Sequence, residues 1–198
     1  NDPVKTFEDK IIWVKGMKGS ERRLAFIRGD LNATRENPAA YKKHVMPVIE
    51  KGDAYTWFHH GLLNVSTGEH SEDPNFTEPT FEALFEKTHG VAPTGDFYDA
   101  YKLVKSWRDA LQKAFWVNKG NPNKDKLVAA LDKMINDPES VAAIEKKVGK
   151  YEWRTGQQGD DAVRTLKTFI TPKALKTLAD FKSEQLGYNT VYKEQLTK

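Results

Sequence analysis

Alternation constrains this chain more than any other feature: short β-branched and aromatic runs are followed repeatedly by capped stretches with helical spacing. Lys10 to Val14, KIIWV, reads as a short buried strand that stops at Gly16. Ser20 is placed to cap a helix carrying Leu24, Ala25, Ile27 and Arg28, which Gly29 closes. Leu31 to Thr34 reads as a second strand, and Asn37 caps a helix that opens on Pro38 and runs to about Ile49. Ala54 to Val65 reads as a further strand region. The spacing predicts helices over Thr80–His89 and Asp96–Lys113, the second with Phe97, Tyr101, Val104, Arg108 and Leu111 on one stripe. A brief strand at Phe115–Val117 leads into a turn cluster at 118–123. Helices then follow over Lys124–Ile135, from Pro138 with Asp137 as cap, and from about Asp160 and Thr171, with Tyr151–Arg154 as a strand between them. Such alternation predicts an α/β fold of mostly parallel sheets flanked by helices, because parallel neighbours need a crossover.

Composition removes several classes of function. Five Trp, seven Tyr and ten Phe are spread along 198 residues, which a solvated coil has no use for. The formal charge of +3 arises from 31 basic and 28 acidic residues that are interspersed, so nucleic acid is not an expected partner. Zero cysteines exclude disulfides and thiolate metal sites. No apolar run approaches the ~20 residues that span a bilayer. Without a signal peptide, the chain reads as cytosolic, already processed, or a fragment.

Several short motifs occur in a telling order. Met17-Lys18-Gly19, Arg28-Gly29-Asp30-Leu31-Asn32 and Glu36-Asn37 are followed by Glu78-Pro79-Thr80-Phe81, then by Asn118-Lys119-Gly120-Asn121-Pro122, then by Leu127 to Leu131 with Asn136-Asp137-Pro138. Their order and spacing resemble the substrate-binding proteins of tripartite tricarboxylate transporters, the Bug receptors. The resemblance implies periplasmic-binding-protein-like lobes closing as a Venus flytrap. It implies a division into 1–55 as part of ligand-binding lobe two, 56–114 as crossover and inserted helices, and 115–198 as the C-terminal part of lobe one. It further implies a periplasmic location, a small organic anion (dicarboxylate or aromatic carboxylate) as ligand, membrane transporter subunits as partners, and no cofactor. Two departures stand beside it. The segment between Glu82 and Phe115 is longer than the family pattern, and the chain begins inside what would be lobe two. It is therefore expected to be a fragment, or a shortened relative serving as an accessory subunit among other protein subunits.

The candidate ligand site lies in the first forty residues. Gly16 and Gly19 let backbone N–H groups approach a ligand, and the helix after Ser20 presents its positive end. The turn from Asn32 to Asn37 adds Thr34, Arg35, Glu36 and Asn37, among which a guanidinium fits a carboxylate bidentately. Gly19, Ser20, Thr34, Arg35, Glu36 and Asn37 are thus the candidate ligand-binding residues. The same groups also suit a plain connection: Ser20 and Asn37 as caps, and Glu36 as the counter-charge of Arg35.

Enzyme chemistry finds little support. His59 and His60 are adjacent, so on a strand they point to opposite faces and do not easily share a metal ion. Asp160-Asp161 falls at a helix start, where the dipole favours it. There is no Gly-x-Ser-x-Gly elbow, phosphate loop or dinucleotide fingerprint. The expected function is a solute-binding protein without catalytic residues, with a structural subunit of a larger assembly as the alternative.

Overall fold

The computed structural model describes residues 11–64, 67, 69–111, 114–184 and 186–187. Lys10, Val65 and Lys113, at which three expected elements begin or end, lie outside the described residues. The α/β expectation of mostly parallel sheets flanked by helices is overturned: the described residues are 56% helix and 4% strand.

The helices are α1 (Gly19–Ile27), α2 (Pro38–Ala40), a π turn (Tyr41–Val45), α3 (Met46–Glu50), α4 (Phe81–His89), α5 (Asp96–Leu111), α6 (Lys124–Ile135), α7 (Pro138–Val148), α8 (Gly156–Thr168) and α9 (Pro172–Glu184). The only sheet among the described residues is an antiparallel pair, β1 (Leu62–Leu63) with β2 (His70–Ser71), in the register Leu62 to Ser71 and Leu63 to His70. Of the expected strands, only the stretch after Ala54 contributes. Ile11–Val14, Leu31–Thr34, Phe115–Val117 and Tyr151–Arg154 carry no ladder. The reason is that a strand satisfies its backbone only through a neighbour, whereas a helix satisfies its own. β-propensity describes the fit to a pleated, half-buried surface. Ile12 is 92% exposed and Phe115 75% exposed, so these runs have no such surface.

The helix boundaries follow local chemistry. Thr80 Oγ1 accepts from Ala83 N at 3.2 Å, Asn37 Oδ1 from Ala40 N at 3.0 Å and Asp137 Oδ2 from Ser140 N at 2.9 Å. At α1 the cap is Lys18 rather than Ser20, and its N–H is taken by Glu21 Oε2 at 3.0 Å. The π turn precedes Pro47, which has no N–H to continue the ladder; the Met46 N–H reaches back to Tyr41 O instead.

Helix α5 organises the remainder. Its C-terminal end joins the hairpin and α8 in a core of Leu63, Ala162 and Leu166, flanked by Ala110, Leu111 and Phe169. Helix α9 packs along α5, with Ala174 and Ala179 buried on one side and Ala100 and Leu103 on the other. Helix α2 touches α7.

The hairpin depends on Gly61. Its φ is +67°, and a Cβ there would lie 2.3 Å from the Ser71 carbonyl oxygen. Gly29 has φ +83° but open space around it. Gly29→Ala should therefore cost about 1–2 kcal/mol for the left-handed backbone. Gly61→Ala should cost a further ~1–3 kcal/mol for displacing a packed backbone group. Urea titration of both variants checks the ordering, and equal losses would contradict the contact.

Candidate functional site

One face of α5 is polar where its neighbours are apolar. Tyr98, Tyr101, Lys105 and Arg108 recur at intervals of three or four residues and so share that face. Helix α4 brings Glu82 to it, the segment before β1 brings His60, and the loop before α2 brings Arg35.

Lys105 is almost completely enclosed, and its ammonium lies 3.1 Å from Glu82 Oε1. Tyr98 donates its hydroxyl to the same oxygen at 3.3 Å. Burial pushes the Lys105 pKa down, and the Glu82 carboxylate works against that shift. Tyr101 sits 2.9 Å from His60 Nδ1. Its phenol pKa is pushed upward, by burial first and the Glu82 charge next, so the proton stays on the oxygen. In the tautomer protonated on Nε2, Tyr101 donates to Nδ1 and the Nε2–H remains a donor. His60 stacks edge-on against Phe58, with one side in solvent. Its pKa is lowered to about 4, by burial first and then by Lys105, Arg108 and Arg35 among its neighbours.

The loop before α2 is held by α1. Arg22 Nη2 donates to Arg35 O at 2.8 Å, and Glu36 Oε1 lies 3.1 Å from Arg23 Nη1 and 3.5 Å from Arg22 Nη2. Glu36 is the buried member of this triad. Its ion pairs are with α1, while its charge reaches the arginine beside it only as a weaker opposing influence. Arg35 therefore has no ion-pair partner among the described residues, and neither has Arg108. The two act on each other: the Arg35 pKa is lowered by burial, then by Arg108 and by Arg22. Beside Arg35, Thr34 Oγ1 is buried with no hydrogen-bond partner.

The six residues singled out in the sequence thus separate. Thr34, Arg35 and Glu36 lie in one cluster with α1, where Glu36 is a clamp. Asn37 is the cap of α2. Gly19 and Ser20 are exposed in the first turn of α1, and the structure brings neither into hydrogen bonding with the cluster. Arg108, Tyr101, Lys105, Glu82 and His60 were missed as site residues. The available signal was the Tyr98, Tyr101, Lys105, Arg108 periodicity, but Tyr101 and Arg108 also fall on the Phe97–Leu111 stripe, a spacing that any amphipathic helix shows. His59 and His60 diverge as the alternation of a strand requires. His59 is buried, accepts from Gly61 N at 3.0 Å and faces Glu72 Oε2 at 3.0 Å.

A concavity of about 510 Å³ lies elsewhere, lined by Asp132, Ile135, Asn136, Trp153, Thr155, Gln157 and Gln158. It is wide open, lacks cationic groups and shares no residue with the α5 cluster. Comparison of the chain with family models, curated proteins and solved structures finds no match.

The half-buried ring of His70 gives this region an acid limit. Burial, then Lys105, lowers its pKa from 6.5 to about 4. Between those values the unfolded chain binds the additional proton. Stability should therefore be full above pH 6.5 and fall as the pH drops toward 4. Thermal denaturation across this range should show a shallower fall for His70→Gln, and an unchanged slope would contradict the assignment.

Proposed function

We propose that this protein captures a small organic carboxylate at the Arg35–Arg108 site, by non-covalent contacts and without turnover. The observation that carries the reading is the charge pattern. Arg22, Arg23 and Lys105 each have a carboxylate within ion-pair distance, whereas among the described residues Arg35 and Arg108 have none that close, Glu36 and Asp109 acting on them only from further away. Two like charges held together cost energy that an anion between them recovers. The planar guanidinium fork suits a carboxylate, and the unpartnered Thr34 hydroxyl and the His60 Nε2–H add neutral donors.

Aromatic rings border these donors. Phe81 lies 4.8 Å from Tyr101 and 5.7 Å from Phe58, ring centre to ring centre. They offer an apolar wall to the body of a dicarboxylate or an aromatic carboxylate. Delivery of the acid to a membrane transporter from the periplasm is the part of this proposal that rests on the motif order alone, which resembles that of tripartite tricarboxylate receptors. The present reading places capture on a helical scaffold and does not use a two-lobed clamp.

Calorimetric titration with carboxylic acids tests this directly. Arg35→Ala and Arg108→Ala should each weaken binding by about 1.5–3 kcal/mol, the range for a hydrogen bond to a charged group. The melting temperature of Arg35→Ala should scarcely change, because its side chain holds no structural ion pair. Wild-type affinity in both variants would defeat the proposal.

The exposed apolar groups favour a second reading, an accessory subunit. Tyr55 is 83% exposed and Trp116 71% exposed, alongside Ile12 and Phe115, and a partner that covered them would gain their burial. Light scattering on the native protein separates the two. A stable assembly burying more than roughly 1,000 Å² per interface, with no saturable carboxylate response, would establish the subunit role. A monomer with a saturable response would exclude it.

A further inference from the structure

Asp109 is the acidic group in the last turn of α5, and the capture site does not use it. It follows Arg108 directly and lies one turn beyond Lys105, at the end of the helix that meets β1. Its Oδ2 is closed off from solvent and has no hydrogen-bond donor. A buried carboxylate in that position would lack the donors that normally stabilise its charge.

The surrounding groups come from every element packed there. Lys105 and Arg108 face Asp109 from its own helix and Arg154 from the segment before α8, and these three favour the ionised form. Asp73, from the turn after β2, opposes it. Asp73 is itself 4% exposed, with Oδ1 accepting from Asn75 N at 2.8 Å and Asn75 Nδ2 at 2.7 Å. Arg154 is partly committed elsewhere, since its Nη2 donates to Leu63 O at 3.1 Å and pairs with Glu152. His70 of β2 lies 3.4 Å from Ser106 Oγ, one turn back on α5. Burial outweighs the cations, and the Asp109 pKa rises to about 7. His60 and His70 take up protons near 4, well outside that range.

We propose that protonation of Asp109 regulates the anion site through Arg108: the neutral acid leaves Arg108 uncompensated and favours capture, and the carboxylate supplies a competing internal anion that favours release. The inference rests on the carboxylate-capture reading. Its sign follows from Coulomb's law. A carboxylate formed beside Arg108 cancels part of the field that attracts the ligand, and one such charge at an effective dielectric of about 20 alters anion affinity on the order of tenfold. By linkage, a bound anion must favour the protonated acid to the same degree.

The test uses the full chain and L-tartrate, a dianion whose charge is constant over the range, titrated by calorimetry at pH 6 and pH 8 at fixed ionic strength. The wild type should bind about tenfold more tightly at pH 6. Asp109→Asn should bind equally at both pH values, with the affinity the wild type shows at pH 6. In the wild type, the Asp109 side-chain carboxyl carbon followed by NMR should titrate near pH 7 and shift upward when tartrate is added, which keeps the test valid should the variant fail to fold. Equal wild-type affinity at both pH values, or a carboxyl midpoint below pH 5, overturns the regulation while capture stands. No binding of tartrate by wild type or Asp109→Asn at either pH overturns the regulation. If other carboxylates also fail to bind, the capture reading falls with it.

Discussion

The ion pair between Lys105 and Glu82 joins α4 to α5, and on α5 both the core and the candidate site are built. Lys105 is enclosed to a degree that lysine seldom reaches without a partner. Glu82 supplies that partner, and Tyr98 adds a hydrogen bond to the same oxygen. A pair of this kind is costly to desolvate and contributes little net stability, but removing one member leaves a buried charge unpaired. Its effect is to fix which side of α5 faces α4, and hence where Tyr101, Arg108 and Asp109 stand.

With that orientation set, α5 divides its surface. One side receives α8, α9 and the short hairpin through Leu103, Ala110 and Leu111, where small and apolar groups close the core. The other gathers cations and phenols around His60. The two environments meet at Asp109, and the same burial that stabilises Leu63 and Leu166 makes ionisation of that carboxyl costly. Packing and the chemistry of the polar face are therefore coupled on one helix.

The loop before α2 shows how a charge is left without an ion pair. Glu36 follows Arg35 in sequence, and adjacency alone suggests that the two neutralise each other. The chain instead turns Glu36 into α1, where Arg22 and Arg23 take it, and the Arg35 carbonyl accepts from Arg22. The loop is pinned by its backbone and by its carboxylate. The guanidinium is left over, next to Arg108, a residue 73 positions away.

The sequence by itself determined the helices. Asn37, Thr80 and Asp137 cap them through their own side chains, Pro38 and Pro138 open two of them, and Gly90 ends one at φ +73°. These are interactions within four residues, so a local reading finds them. It misplaced the cap of α1, where Lys18 precedes the expected Ser20, and it placed strands at Ile11–Val14 and Phe115–Val117, which have none. A strand exists only when another strand accepts its hydrogen bonds, and no local pattern records whether that neighbour is present. The Arg35–Arg108 pairing, the enclosure of Lys105 and the isolation of Asp109 were likewise decided by tertiary structure. Each depends on which distant charge lies nearby and on how far water is excluded, and both are properties of the packed chain rather than of its order of residues.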